Sequence, residues 1–376
     1  MSYAFQTLIH EKARYAAGVG AVAFSALLIV LQVGLLLGLF EITSVPVDIT
    51  TADIWVGSQD VKSIDLGTQI TANTHMARLT EKKGLVGQPE YFLANYANVS
   101  RPDGGMERCF VLGSSLEDGA CGAATVLTPA LRAALTEPNS IVIDQSEMKR
   151  MNVSALGDTL KISGVEVKLV GTVNGIKSLA APWVFCSHTT ARKLLALFLT
   201  PDHTTYLLAR AESPVRARAI VDELNAAYPD MAAFTSADFS FSCRWYWLTR
   251  TKAGLAIGYA ALLGLLVGAV ITAQTLYAAT MASAKEYATL LALGIPRRKI
   301  YWLVMEQSFW VGLIGVVFAY PIIRLLAYAA GSAGTRVVLR WEVLSGAAIL
   351  TVFTALLSGL VALRSVRKIE PMSLLR

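Results

Sequence analysis

The chain has 376 residues, of which 54% are hydrophobic and only 16% charged, with a mean hydropathy of +0.51 and a formal net charge of +6. A soluble domain usually carries about 25% charged residues, so the composition excludes an ordinary soluble protein and points to a membrane protein. The positive charge does not indicate a nucleic-acid binder. Residues 42–250 hold 19 Lys+Arg against 21 Asp+Glu and the remainder holds 14 against 6, so the basic excess flanks the apolar stretches, where anionic headgroups attract it.

In chain order, residues 2–14 read as a short interfacial helix with Phe5, Leu8 and Ile9 on its apolar side. A bilayer core of about 30 Å needs roughly 20 helical residues, and residues 15–40 supply the first span, with Gln32 its most polar member. A cleaved signal peptide would have an apolar core of roughly 7 to 15 residues followed by a small-x-small site; here the run from 15 to 40 is longer, and no such site follows it before Glu41. Residues 42–250 follow as one mixed α and β domain. Residues 53–57 and 140–144 read as strands, 146–156 as a helix, and 159–173 as a hairpin turning at Ser163-Gly164. Residues 204–209 form a further strand. The helix at 214–228 opens on Pro214 and carries an apolar stripe of Val215, Ala219, Ile220 and Leu224. Residues 238–250 lead back to the membrane, with Trp245, Tyr246 and Trp247 suited to the headgroup belt. Residues 74–138 are less periodic and read either as an inserted subdomain or as long loops. Three further spans cover about 253–282, 302–323 and 344–363. The expected fold is an α-helical membrane protein with four transmembrane helices and a large extracytoplasmic α+β domain between helices 1 and 2, divided as 1–41, 42–250 and 251–376.

Basic residues in short loops mark the cytoplasmic side. Lys12, Arg14, Lys285, Arg297, Arg298, Lys299, Arg364, Arg367, Lys368 and Arg376 lie on one side, against Arg324, Arg336 and Arg340 on the other. Both termini are therefore expected inside and residues 42–250 outside, in the periplasm of a bacterial inner membrane. All four cysteines, Cys109, Cys121, Cys186 and Cys243, fall in this external region, which suits an oxidising compartment. Three pairings are open; Cys109 with Cys121 would close a small loop.

The residues offer no catalytic constellation. His10, His75, His188 and His203 form no recognised metal-binding spacing, and no Gly-x-Ser-x-Gly or His-Glu-x-x-His occurs. His188 near Cys186 reads either as one side of a thiol site, against which alternate residues on a strand point to opposite faces, or as a surface histidine beside a disulfide cysteine. The segment from Gly171 to Ser178 is the nearest approach to a phosphate loop, but its lysine is misplaced relative to its glycines. The chain is expected to be no enzyme and to bind no cofactor, with any ATP and Mg2+ handled by a partner subunit.

Two features suggest mechanics. The pairs Gly34/Gly38, Gly254/Gly258 and Gly264/Gly268 have the four-residue spacing that lets helices approach closely, either between spans one and two or across a dimer. Between the second and third spans, residues 285–293 favour a helix that Gly294 ends and Pro296 separates from the next element. Lys285, Glu286, Tyr287, Leu290, Leu291, Leu293, Gly294 and Pro296 are the candidate coupling residues, with the tyrosine and leucines filling a groove on a partner protein.

That segment, with Glu306-Gln-Ser308 and Arg367-Lys-Ile-Glu-Pro-Met-Ser-Leu-Leu375, resembles the FtsX/MacB family of ABC-system permeases. His10-Glu-Lys-Ala-Arg14 and Gln32-Val-Gly34 are similar to the start of DevC-type exporter permeases, and residues 156–164 followed by Val170-Gly171 resemble the family's external domain. The resemblance covers the membrane half well and the external domain in patches. It implies a permease homodimer docked to a cytoplasmic ABC ATPase through residues 285–296, and an FtsX-like membrane domain at 251–376. It further implies a periplasmic adaptor (membrane fusion protein), an outer-membrane channel, membrane lipids as neighbours, and export of a lipid-like or amphiphilic substrate. A permease that transmits force to a periplasmic hydrolase or sensor is the alternative, and a stand-alone scaffold or receptor the third reading. Ile295-Pro296 and the four cysteines depart from the family pattern.

Overall fold

The computed structural model describes residues 12–100, 104–176, 178, 181–332 and 337–366, and the chain divides into Leu39–Thr251 and a unit made of Met1–Gly38 with Lys252–Arg376. The expected interfacial helix at 2–14 lies largely outside the described residues, as does the segment 367–375.

The first helix, α1 (Lys12–Asp48), contributes to both units. The α+β unit then runs β1 (Ile54–Ser58), β2 (Ile70–Thr71), α2 (Ala72–Thr80), β3 (Leu85–Ser100), β4 (Met106–Ser114), α3 (Pro129–Leu135) and β5 (Ser140–Asp144). It continues with β6 (Thr159–Ile162), β7 (Val165–Val173), β8 (Trp183–Ser187), α4 (His188–Leu194), β9 (His203–Thr204), β10 (Tyr206–Ala211), α5 (Pro214–Ala227), β11 (Met231–Thr235) and α6 (Ser236–Arg250). Side-chain oxygens start α3 to α6: Thr128, Ser187, Ser213 and Thr235 each accept a backbone N–H from the first turn, satisfying a donor the helix itself cannot.

Among the described residues the main sheet has nine strands in the order β11-β1-β10-β3-β4-β8-β5-β7-β6. The 16-residue β3 organises it. Its first half pairs with β10, its second half with β4, and its last two residues also meet β6 at Val99–Ile162 and Ser100–Lys161, closing that end of the sheet on itself. Alternation along the strands feeds two cores. On β4, Cys109 and Val111 enter one cluster, whereas Phe110 and Leu112 enter the other on the opposite face. A third cluster lies under α5, whose Ala217, Ile220, Val221 and Leu224 cover Ile54, Val56 and Leu207.

The hairpin at 159–173 turns through Ser163 (φ +48°) and Gly164 (φ +83°), the two left-handed residues that a tight hairpin requires. Other expectations are corrected. Residues 146–156 do not form an α-helix: a single 3-10 turn, Gln145–Glu147, is followed by turns, with Asn152 at φ +56°. The carboxylates of Asp144 and Asp158 accept from the N–H groups of Ser146, Ser154 and Ala155, local bonds that compete with the helical ladder. The buried stripe of α5 is rotated from the expected one, leaving Val215 exposed. Residues 74–138 are neither a separate subdomain nor loops, because β3 and β4 lie at the centre of the sheet.

The other unit adds α7 (Lys252–Ala282), α8 (Ala284–Ala292), α9 (Arg297–Ser332) and α10 (Trp341–Val366) to the first part of α1. The four long helices are long and apolar enough to cross a membrane. α10 packs on both α7 and α9, and clusters around Val22, Val311 and Ala355 and around Ile29, Ile323 and Ala347 join α1 to them. The fold is thus a four-helix membrane unit with a large α+β domain between its first and second helices.

Candidate functional site

The short helix α8 follows α7 after a break at Ser283. It ends in a tight cap: the Gly294 N–H donates to Leu291 O at 3.1 Å and the Ile295 N–H to Leu290 O at 3.1 Å. This double bond pattern needs a left-handed residue after the last helical turn, and Gly294 supplies it at φ +83°. Leu290 and Ile295 share one apolar cluster, as this cap favours. Pro296 then accepts the Lys299 N–H at 2.8 Å as α9 begins.

α8 is pinned to α9. Tyr287 is 2% exposed, and its hydroxyl donates to Gln307 Oε1 at 2.9 Å. Ala288 packs with Ile300 and Val304, flanked by Leu290 and Leu291. Next to Gln307, buried Ser308 faces Gly359 of α10, where any added Cβ would collide with its hydroxyl. The sequence reading therefore needs revision: Tyr287 faces inward, and Leu290 and Leu291 are half-buried against α9. The outward face presents Glu286, Thr289, Ala292 and Leu293, with Leu293 75% exposed. Gly294, Pro296 and the basic residues 297–299 are exposed beside it. The Lys285 side chain lies outside the described residues. The Tyr287–Gln307 bond was missed in the sequence because a 20-residue separation gives no local signal.

The glycines serve different contacts. Gly264 and Gly268 of α7 face Gln32 and Ser25 of α1 so closely that a Cβ at either would overlap those side chains. Gly34 faces the segment before α10: the Val338 N–H donates to Gly34 O at 3.0 Å, and Val337 Cγ1 lies 2.8 Å from where a Cβ would stand. Gly38 and Gly254 are buried and Gly258 is half-buried.

In the α+β unit all four cysteines are free and buried. The loop expected between Cys109 and Cys121 is not closed, because these residues occupy core clusters on opposite faces of the sheet. Burial pushes the Cys109 and Cys243 thiols up to about 12 and those of Cys121 and Cys186 higher still. Cys186 and His188 form no thiol–imidazole pair: Cys186 Sγ contacts Leu112 O, while His188 Nε2 lies 2.5 Å from Tyr91 O. The phosphate-loop look-alike is also occupied, since the Ile176 N–H donates to Asp144 Oδ2 at 2.9 Å.

Residues 258–371 match the FtsX-like permease C-terminal domain, a stretch that takes in α8, its cap and the Tyr287–Gln307 contact. No curated protein matches the chain in sequence. Among solved structures, the periplasmic region of MacB from Actinobacillus actinomycetemcomitans aligns over 52% of this chain and 93% of its own, with 11% identity and a TM-score of 0.35. The extracellular domain of the noncanonic ABC-type transporter YknZ from Gram-positive bacteria aligns over 49% of this chain and 98% of its own, with 9% identity and a TM-score of 0.32. Over residues 258–371 of its membrane unit, this chain is similar to FtsX-like permeases.

Proposed function

We propose that this chain is the permease subunit of an ATP-driven export system, with residues 42–250 on the periplasmic side of the inner membrane and both termini in the cytoplasm. A separate cytoplasmic ATPase docks on the outward face of α8. Its opening and closing move the membrane helices, and through them the α+β domain. The cargo is lipid-like or amphiphilic, delivered through a periplasmic adaptor and an outer-membrane channel.

The observation that carries this reading is the construction of α8. A helix bounded by a break at Ser283 and a glycine cap at Gly294, and fixed to α9 by buried Tyr287, transmits a push instead of absorbing it. At its C-terminal end the large apolar side chain of Leu293 is exposed and offers apolar area that a docked partner would remove from water. The basic residues at 297–299 sit beside it, placed for the cytoplasmic leaflet.

The direct test is Leu293→Asp. The ATPase that co-purifies with the wild-type chain in mild detergent should be lost by about tenfold or more, because a desolvated charge in an apolar contact costs roughly 2 kcal/mol or more. Membrane insertion should be unchanged. Full retention of the ATPase would remove α8 from the coupling role. Sidedness is checked separately with an impermeant maleimide in intact cells. A cysteine at exposed Glu117 should label and one at exposed Ala292 should not; the reverse pattern would invert the topology. The native thiols stay silent in this assay because they are buried.

A further inference from the structure

A polar cleft of about 420 Å³ in the α+β unit plays no part in the coupling scheme. Its walls include Asp60, Thr71, His75, His203 and Asp230. His75, on α2, is 6% exposed, and its Nδ1 lies 2.8 Å from Thr71 O. A carbonyl only accepts, so Nδ1 carries a proton, and in the neutral ring Nε2 presents a lone pair. That Nε2 is buried without a hydrogen-bond partner, 3.8 Å from Asp230 Oδ2. Two acceptors thus face each other across a gap too wide for a hydrogen bond. A shared metal ion would draw the two slightly closer, since bonds of about 2.0–2.2 Å place two ligands of a tetrahedral ion roughly 3.4 Å apart.

The surroundings repeat the pattern. Metal-bound imidazoles commonly give their other ring nitrogen to a backbone carbonyl, as His75 does. Arg78 Nη1 donates to both oxygens of Asp230 at 2.7 Å each, which fixes the carboxylate's orientation. In the two-stranded ladder β2–β9, His203 stands opposite Thr71, whose carbonyl holds His75. His203 Nδ1 lies 2.6 Å from Thr200 Oγ1, which leaves its Nε2 edge for another ligand. Asp60 lies exposed on the same cleft. Among the described residues, no three such side chains already converge on one point, so a third donor has to turn inward, and half-exposed His203 can.

We propose that this cleft binds a divalent transition-metal ion of the Zn2+ class, with His75 Nε2 and Asp230 as the fixed donors and His203 as the third. Two imidazoles with one carboxylate suit such an ion and are poor ligands for Mg2+, which prefers oxygen. The site is independent of the coupling role of α8. The test uses the full chain in detergent, purified through a histidine-free tag and titrated with Zn2+ against a chromophoric chelator. One ion per chain should bind in the micromolar range, unaffected by excess Mg2+, and X-ray absorption should show a nitrogen and oxygen shell. His75→Gln and His203→Gln should each weaken binding by about tenfold or more. Because His75 is buried, the His203→Gln arm keeps the test valid if the first variant fails to fold. The proposal is overturned by the absence of saturable binding below about 100 µM, which would leave an ordinary His75–Asp230 ion pair. It is equally overturned by unchanged affinity in His203→Gln, or by sulfur in the first shell, which would move the ion to the cysteines.

Discussion

The two units differ in what they leave exposed. In the α+β unit the fully buried side chains are large, among them Trp55, Tyr206, Phe110 and Phe239, and these rings pack edge-on or tilted around Trp55, Tyr206 and Phe110. In the membrane unit Leu262, Leu263, Leu266, Val317, Phe318 and Leu325 point outward, while Ser25, Thr272, Thr351 and Ser358 are buried. The same preference produces both patterns. Water drives apolar groups inward, but lipid offers no such push, so the membrane helices associate through small and polar side chains that permit close approach. An exposed leucine is thus uninformative until the solvent around it is known.

Substitutions can break that contrast. Trp55→Ala should cost about 3–5 kcal/mol, seen as a large fall in the melting temperature of the purified chain, whereas Leu263→Ala should cost roughly 0.5 kcal/mol or less. Equal losses would mean that Leu263 packs against protein. Next in size, Gly268→Val should destabilise the membrane unit by about 1–3 kcal/mol, because its Cβ would meet Ser25. Adding Ser25→Ala should recover part of the loss in the same melting assay, and no recovery would place the clash elsewhere. Tyr287→Phe leaves Gln307 Oε1 buried without this donor and should cost about 1–2 kcal/mol, with faster limited proteolysis at 284–300 as a local readout.

A pH-dependent effect concerns the buried thiols. Cys109 and Cys243 are raised from 9.0 to about 12 by burial. The folded state therefore keeps protons that the unfolded state releases above about 9. Stability is full below that value and declines as pH rises from 9 toward 12. Cys109→Ala should flatten the decline measured by denaturant titration between pH 8.5 and about 10. At pH 8 a thiol reagent should find almost no reactive group in the native chain and four after denaturation; prompt labelling of the native chain would contradict the buried thiols.

Much of this was legible from local signals. Runs of apolar residues gave the four spans, Ser163-Gly164 gave the hairpin turn, and Gly294 with Pro296 gave the end of α8. The 146–156 segment misled because its apolar and polar spacing suits a helix, while two carboxylates divert its N–H groups. The candidate coupling face was half legible: the helix was visible, but its orientation depended on Tyr287 meeting Gln307 on another element. The cleft left no trace, since His75 and His203 are separated by most of the α+β unit and meet only through the β2–β9 ladder.

The sequence by itself determined where the chain enters the membrane and where local turns and caps fall, because those depend on solvent transfer and on backbone conformations available to a few neighbouring residues. Tertiary structure alone decided that the β6 end of the main sheet closes back on β3, that Cys109 and Cys121 lie on opposite faces of it, and that Leu293 rather than Tyr287 faces outward. Each of these is a pairing between distant segments, set by which surfaces pack best, and no short stretch of residues carries that information.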